Sequence, residues 1–191
     1  MVKDALNPHV YDPRASAGLD RTADSPQSVP VRLKLAASFE PCPIEGGDEV
    51  FSNGIFNFNI SRLTLFIEAH TDRFPVEAAE VASTTHYDDS RLDQATVAAA
   101  NLSRPVLFVE IAPGRFNLID GNHRMARARR EGLSTVPAYR ISCPHHVPFL
   151  TSMTAYQKYV DYWNGKIQEM QPIRRRASSR SRATEPANQP G

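Results

Sequence analysis

Residues 116–141 read FNLIDGNHRMARARREGLSTVPAYRI. Phe116 to Ile119 form a short run of β-formers that ends in the turn signal Asp120-Gly121. From about Asn122 to Glu131 the residues suit a helix, and Gly132 is the usual residue just past a helix end. VPAYRI, residues 136–141, reads as the next strand. Immediately upstream, Val106–Ile111 is rich in β-formers and Pro113-Gly114 marks a turn, which makes Val106–Ile119 a hairpin. Before it lies a helix over Leu92–Ala100, with Ser90 or Asp89 as N-cap and Asp93 in its first turn. Val76–Ala82 is a strand or a helix; its periodicity decides neither. Residues 74–142 therefore predict strand, helix, strand, strand, helix, strand, an α+β unit with a small mixed sheet and packed helices.

Working outward, residues 30–73 predict an N-terminal extension of strands plus a helix. VRLKLAASF (31–39) alternates Val31, Leu33 and Leu35 with Arg32 and Lys34, the pattern of a half-buried strand. Ile55, Phe56 and Phe58 suggest a second strand, after which Asn59 or Ser61 caps a helix carrying Leu63, Leu65, Phe66 and Ile67. Residues 143–171 predict one or two C-terminal helices, in which Met153, Tyr156, Tyr159, Val160 and Trp163 fall at helical spacing and are read as a core stripe. The polar, Pro/Ser/Asp-rich segment 1–29 and the basic, Ser/Pro-rich segment 172–191 bury too little to offset ordering entropy, and both are expected to be disordered.

A net charge of +1 means that any affinity for nucleic acid must come from where the charges sit. Two cysteines without a CxxC pair give no disulfide framework, so a reducing, cytoplasmic setting is expected. No apolar run is long enough to span a bilayer. Cys143, His145 and His146 do not read as a zinc site, because adjacent histidines reach one ion poorly and a fourth ligand is not evident.

The chemistry concentrates at Asp120-Gly121-Asn122-His123-Arg124. Asp-Gly is an ordinary turn, and Asn can cap a helix. Arg124 is harder to explain, since a cation in the first helical turn opposes the macrodipole by roughly 0.3–1 kcal/mol. Arg127, Arg129 and Arg130 add further charge to the same helix. Two readings stand. The helix end binds an anion, with backbone N–H groups and a bidentate guanidinium gripping phosphate and His123 donating a proton. Alternatively this is a solvated basic face.

With these residues in view, LIDGNHRMARARREGLSTVPAYRI after RPVLFVEIAPGRFN resembles the ParB/sulfiredoxin superfamily, over residues 74–142. Gly121, Asn122, His123 and Arg124 match that superfamily's strand-to-helix turn, and Gly132, Val136 and Pro137 match the pattern downstream. The resemblance implies that the turn binds nucleotide phosphates. Asn122 stands where sulfiredoxins carry their reactive cysteine, which speaks against sulfinic-acid reduction. The chain after residue 142 is too short for the helix-turn-helix and dimerisation domains of partition proteins. Size and layout are closest to the small plasmid-encoded fertility-inhibition members, the oncogenic-suppression type. These imply ATP hydrolysis, DNA cleavage and inhibition of conjugative transfer through a type IV secretion system. The alternative is a non-catalytic, nucleotide-gated protein that binds DNA or a protein partner.

On this resemblance His123, Arg124 and Asp120 are candidate catalytic residues, with ATP and Mg²⁺ or a similar divalent cation as cofactors and Asp120 as the metal ligand. Gly121, Asn122, His123 and Arg124 bind the nucleotide, and His86 and Arg91 reach the same pocket from the preceding loop; a plain capping loop is the other reading of that segment. Arg127, Arg130, Arg174, Arg175 and Arg176 are candidates for nonspecific, salt-sensitive DNA contact. The arginines near the end of the chain equally suit a solvated tail or a docking segment for an acidic partner; the resemblance adds conjugative transfer machinery proteins as partners.

Overall fold

The structure, a computed structural model, describes residues 30–84 and 89–181. Strands β1 (Val50–Asn53) and β2 (Phe56–Asn59) form a hairpin, with Gly54 at positive φ in its turn and Ile55 exposed at the tip rather than in the strand. Asn59 closes β2 and opens helix α1 (Ile60–Glu68): its Oδ1 accepts from the Arg62 N–H at 3.0 Å. Its Nδ2 donates to the Pro43 carbonyl at 2.9 Å and to Asp48 at 2.7 Å, so this fully buried amide has partners for both its ends.

Strand β3 (Glu77–Glu80) settles the open question over Val76–Ala82, and a 3₁₀ turn at Val81–Thr84 follows it. A second 3₁₀ turn occupies Asp89–Arg91, where the expected N-cap lies. The helix begins later, as α2 (Gln94–Ala99), capped by Asp93 through the Thr96 N–H. Thr96 also donates its hydroxyl to the same carboxylate, an attraction that neither Asp89 nor Ser90 has at that spacing.

Next come β4 (Val106–Ala112), β5 (Arg115–Asp120), α3 (Asn122–Arg130) and β6 (Thr135–Ile141). Gly114 turns the hairpin, and Gly132 ends α3 with its N–H on the Arg129 carbonyl and the Leu133 N–H on the Ala128 carbonyl. The four-stranded sheet has the order β3-β6-β4-β5, with β4 and β6 parallel and the other pairs antiparallel. The fold is α+β.

β4 is the shared wall of two apolar cores. Val106 and Phe108 face α3, with Ala79, Val81, Val136, Ala138, Met125 and Ala128. Leu107, Val109 and Ile111 face the opposite side, with Ile119, Ile141, α1 and the last helix. Alternate side chains go to opposite faces, so a strand buried on both must be apolar throughout, as VLFV is.

That last helix, α4 (Met153–Ser181), is single and long. Its buried stripe is Ala155, Tyr156, Tyr159, Val160, Trp163 and Ile167, while Met153 at its start is exposed. The segment from residue 172, expected to be disordered, instead prolongs this helix to Ser181: its four arginines and Ala177 favour helix, and the helix runs through Pro172, which disfavours it. Among the described residues no helix is long and apolar enough to cross a membrane.

The expected strand at 31–39 is absent. Leu33, Ala36 and Phe39 turn inward at every third residue, and Val31 and Leu35 are exposed. The segment is a strap across α4, held by side chains instead of a neighbouring strand. Trp163 Nε1 donates to the Val31 carbonyl at 3.0 Å, and the Tyr156 hydroxyl accepts from the Ala36 N–H at 2.9 Å. The Asn164 amide takes the Leu33 N–H at 2.8 Å and returns a bond to the Leu33 carbonyl at 2.9 Å. Asn164→Ala leaves both groups of a partly buried peptide unpaired. We expect a loss of about 1–3 kcal/mol in urea unfolding and faster amide exchange at Leu33; an unchanged Leu33 rate would mean that the strap is held by its apolar residues alone.

One polar cluster is sealed into the larger core. The Tyr159 hydroxyl donates to the Glu110 carbonyl at 2.8 Å and lies 3.1 Å from His146 Nε2, with both rings essentially inaccessible. Burial pushes His146 down to about 3, with the nearby His145 adding to the fall and the Ser142 carbonyl opposing it. His146 Nδ1 has no partner in hydrogen-bonding geometry.

Candidate functional site

β5 is an edge strand, and its C-terminal end delivers the chain to α3 through one residue, Gly121. Gly121 has φ +100°, a conformation that L side chains avoid. It is also pressed against the sheet: a Cβ there would lie 2.6 Å from Val106 Cγ1 and 3.0 Å from Arg124 Nε. Two independent constraints thus require glycine at this turn.

Gly121 takes the N-cap position, and no side chain caps α3. Asn122, read as a possible cap, is the first helical residue, and its Oδ1 is buried without a hydrogen-bond partner. Arg124 Nε is buried and unpartnered as well. Its other end is engaged: Nη2 lies 2.7 Å from Asp120 Oδ2, in an ion pair whose side chains are 12% and 23% exposed. This pair is the local answer to the cation in the first turn. The carboxylate at the end of β5 supplies the negative charge that the helix end attracts, and it neutralises the guanidinium at the same time.

The other arginines of α3 are tied to neighbouring elements. Arg127 donates to the Ala100 carbonyl at 2.8 Å and to Glu131 at 2.6 Å. Arg129 grips Asp89 with two nitrogens, and Arg130 meets the Gln94 side chain. Both DNA-contact candidates on this helix, Arg127 and Arg130, therefore clamp α2 to α3. Thr96 chiefly holds the Asp93 carboxyl below the usual range, with a smaller lowering from His123.

Among the sequence candidates, the structure brings Asp120, Gly121, Asn122, His123 and Arg124 together. Arg91 belongs to the turn Asp89–Arg91, which Arg129 anchors to the last turn of α3 rather than to Gly121. His86 lies outside the described residues. Arg174, Arg175 and Arg176 fall in the final part of α4, where the backbone alone is described. Asp120, the expected metal ligand, faces Arg124, and no group of three His, Cys, Asp or Glu side chains forms a metal cluster among the described residues.

Sequence reasoning missed two parts of the site. Asp120 and Arg124 stand at i and i+4, a spacing that advertises an ion pair. Val106, the wall behind Gly121, carried no local signal, because only the β4–β5 pairing brings it there. The arrangement can hold an anion: a helix N-terminus without a side-chain cap, a part-buried guanidinium whose Nε–H is buried and unpartnered, and a glycine that lets backbone approach closely. Comparison with protein-family models, with curated proteins and with solved structures finds no match to this chain.

Proposed function

We propose that the chain binds a nucleoside triphosphate, with its phosphates at the Gly121–Arg124 turn. The observation that carries this reading is the pair of buried polar atoms without partners, Asn122 Oδ1 and Arg124 Nε, at an uncapped helix start. Buried polar groups ordinarily have partners, so their absence marks a place for one. The Nε–H suits a phosphate oxygen directly, and the amide oxygen suits a water or a hydroxyl group. Phosphate binding displaces Asp120 from Arg124, which frees one carboxylate beside His123 to position water at the bound phosphate. Mg²⁺ would be held mainly by the phosphates, with Asp120 as its protein ligand, and would neutralise their charge. The order of strands and helices around the turn supports the resemblance to the ParB/sulfiredoxin superfamily. With it come the activities of its fertility-inhibition members: ATP hydrolysis, DNA cleavage and inhibition of conjugative transfer in the cytoplasm.

A second reading is a nucleotide-gated binding protein without turnover. It is favoured by the Asp120–Arg124 pair, which occupies the one carboxylate at the turn.

The test is phosphate release from ATP and CTP with Mg²⁺, and plasmid nicking in the same samples, for wild type and Arg124→Ala. A bond to a charged group contributes about 1.5–3 kcal/mol, so nucleotide affinity should fall roughly 10- to 150-fold in the variant, with release and nicking lost together. Wild-type release by the variant would remove the chemistry from this turn. Tight binding without release in wild type would select the second reading.

A further inference from the structure

The sheet face under α3 is covered only in part. Met125 and Ala128 of α3 pack with Ala79, Val81, Val136 and Ala138 toward one end of that face. Strand alternation puts Phe108, Phe116 and Arg140 on the same face toward the other end, with Leu118 between Phe116 and the turn. The Arg140 guanidinium carbon lies 5.0 Å from the Phe108 ring centroid and 5.3 Å from that of Phe116. Glu77 flanks it, with 3.7 Å between the Arg140 Nε and the carboxylate. The Arg140 side chain is still 33% exposed. The result is a flat cation laid on two phenyl rings and steadied at its edge, with part of its surface open.

This shelf adjoins the phosphate turn. Gly121 touches Val106, and Phe108, the register partner of Arg140, is two residues further along the same strand, roughly 7 Å away. A ligand anchored by phosphate at the start of α3 reaches that level of the sheet with its next group. Nucleobases stack on aromatic rings and on guanidinium planes with little regard to base identity.

We infer that Arg140 and Phe116 form the base-binding shelf of this protein, on which the base of a nucleotide stacks while its phosphates occupy the Gly121–Arg124 turn. The inference rests on the phosphate-site reading above and assigns the other half of the ligand. It makes the two halves separable: the turn recognises phosphate, and the shelf recognises a planar ring.

The test is calorimetric titration of the full chain with ATP, CTP and inorganic tripolyphosphate. The variants are Arg140→Lys, which keeps the charge and loses the plane, Phe116→Ala and Arg124→Ala. Arg140→Lys and Phe116→Ala should each bind ATP and CTP about tenfold more weakly. Their affinity for tripolyphosphate should stay at the wild-type level, which also shows that they fold. Arg124→Ala should weaken all three ligands. Wild-type nucleotide affinity in Arg140→Lys and Phe116→Ala, with Arg124→Ala still defective, would overturn the shelf and leave the phosphate site standing. Equal losses for nucleotide and tripolyphosphate in Arg140→Lys would show that the guanidinium acts on the phosphates and not on a base, and would also overturn it. A wild-type chain that binds none of the three ligands would remove the phosphate site, and the shelf with it.

Discussion

Gly121→Ala is expected to destabilise the protein by about 2–5 kcal/mol. A left-handed backbone costs an L residue roughly 1–2 kcal/mol, and forcing a methyl into packed surroundings costs about 1–3 more. The obstructing atoms are Val106 Cγ1 and Cβ, at 2.6 and 2.9 Å from the added carbon. They belong to a fully buried side chain of the central strand β4 and cannot swing aside. Urea or guanidinium denaturation measures the loss. The double variant Gly121→Ala with Val106→Ala separates its parts: removing the valine methyls relieves the closest clash, at Cγ1, and leaves the tighter-than-normal Cβ contact and the cost of φ. The two changes should therefore couple, the pair costing less than the sum of the singles. Strict additivity would mean that the strained backbone alone accounts for the loss.

Acid sensitivity provides the second large effect. His146 titrates at about 3 in the folded chain, chiefly because it is fully buried, against about 6.5 when exposed. Its folded value lies below the unfolded one, so protons bind the unfolded chain preferentially. The contribution to stability is complete above pH 6.5 and is lost as pH falls toward the folded value. The slope approaches about 1.4 kcal/mol per pH unit, so this ring alone should remove about 2 kcal/mol between pH 7.5 and pH 5. His146→Gln keeps a polar side chain that does not titrate. Its stability at pH 7.5 is lower than wild type, because the contact with Tyr159 changes, but that component of the pH slope should vanish. Denaturation curves at the two pH values decide it: parallel slopes for wild type and variant would show that the ring takes up its proton without unfolding the core.

Both effects depend on partners distant in sequence, Val106 for Gly121 and Tyr159 for His146, and the pattern is general in this chain. The β4–β5 hairpin is legible because Pro113-Gly114 separates two runs of β-formers, and α3 because Gly132 stops it. Those signals lie within a few residues of the structure they specify. The strap at 31–39 is illegible for the opposite reason: alternation of Val31, Leu33 and Leu35 imitates a strand, while the groups that hold it are side chains of Tyr156, Trp163 and Asn164. The cap of α2 was missed narrowly, since Asp93 and Thr96 form a cap pair that competes with Ser90 and Asp89. At the candidate site, Arg124 stands out in the sequence because it breaks a local preference, whereas Gly121 reads there as an ordinary turn residue. Apart from Glu131, which stands at i+4 from Arg127, the partners that engage Arg127, Arg129 and Arg130 come from α2, its C-terminal end and the turn before it, and tertiary packing reveals them.

The covering of β4 on both faces bears on how the molecule can be divided. The stretch that carries the family resemblance, residues 74–142, contributes Leu107, Val109, Ile111, Ile119 and Ile141 to the larger core. Apart from Phe74 at its start, the residues that roof them come from elsewhere: Phe58, Leu63 and Ile67 before that stretch, and Phe149, Tyr159 and Trp163 after it. Cut out alone, the segment would present one whole side of its sheet, bare and apolar, to water. The flanking sequences are therefore the other half of the unit that folds, and a shortened chain that keeps the turn but sheds them is a recipe for self-association.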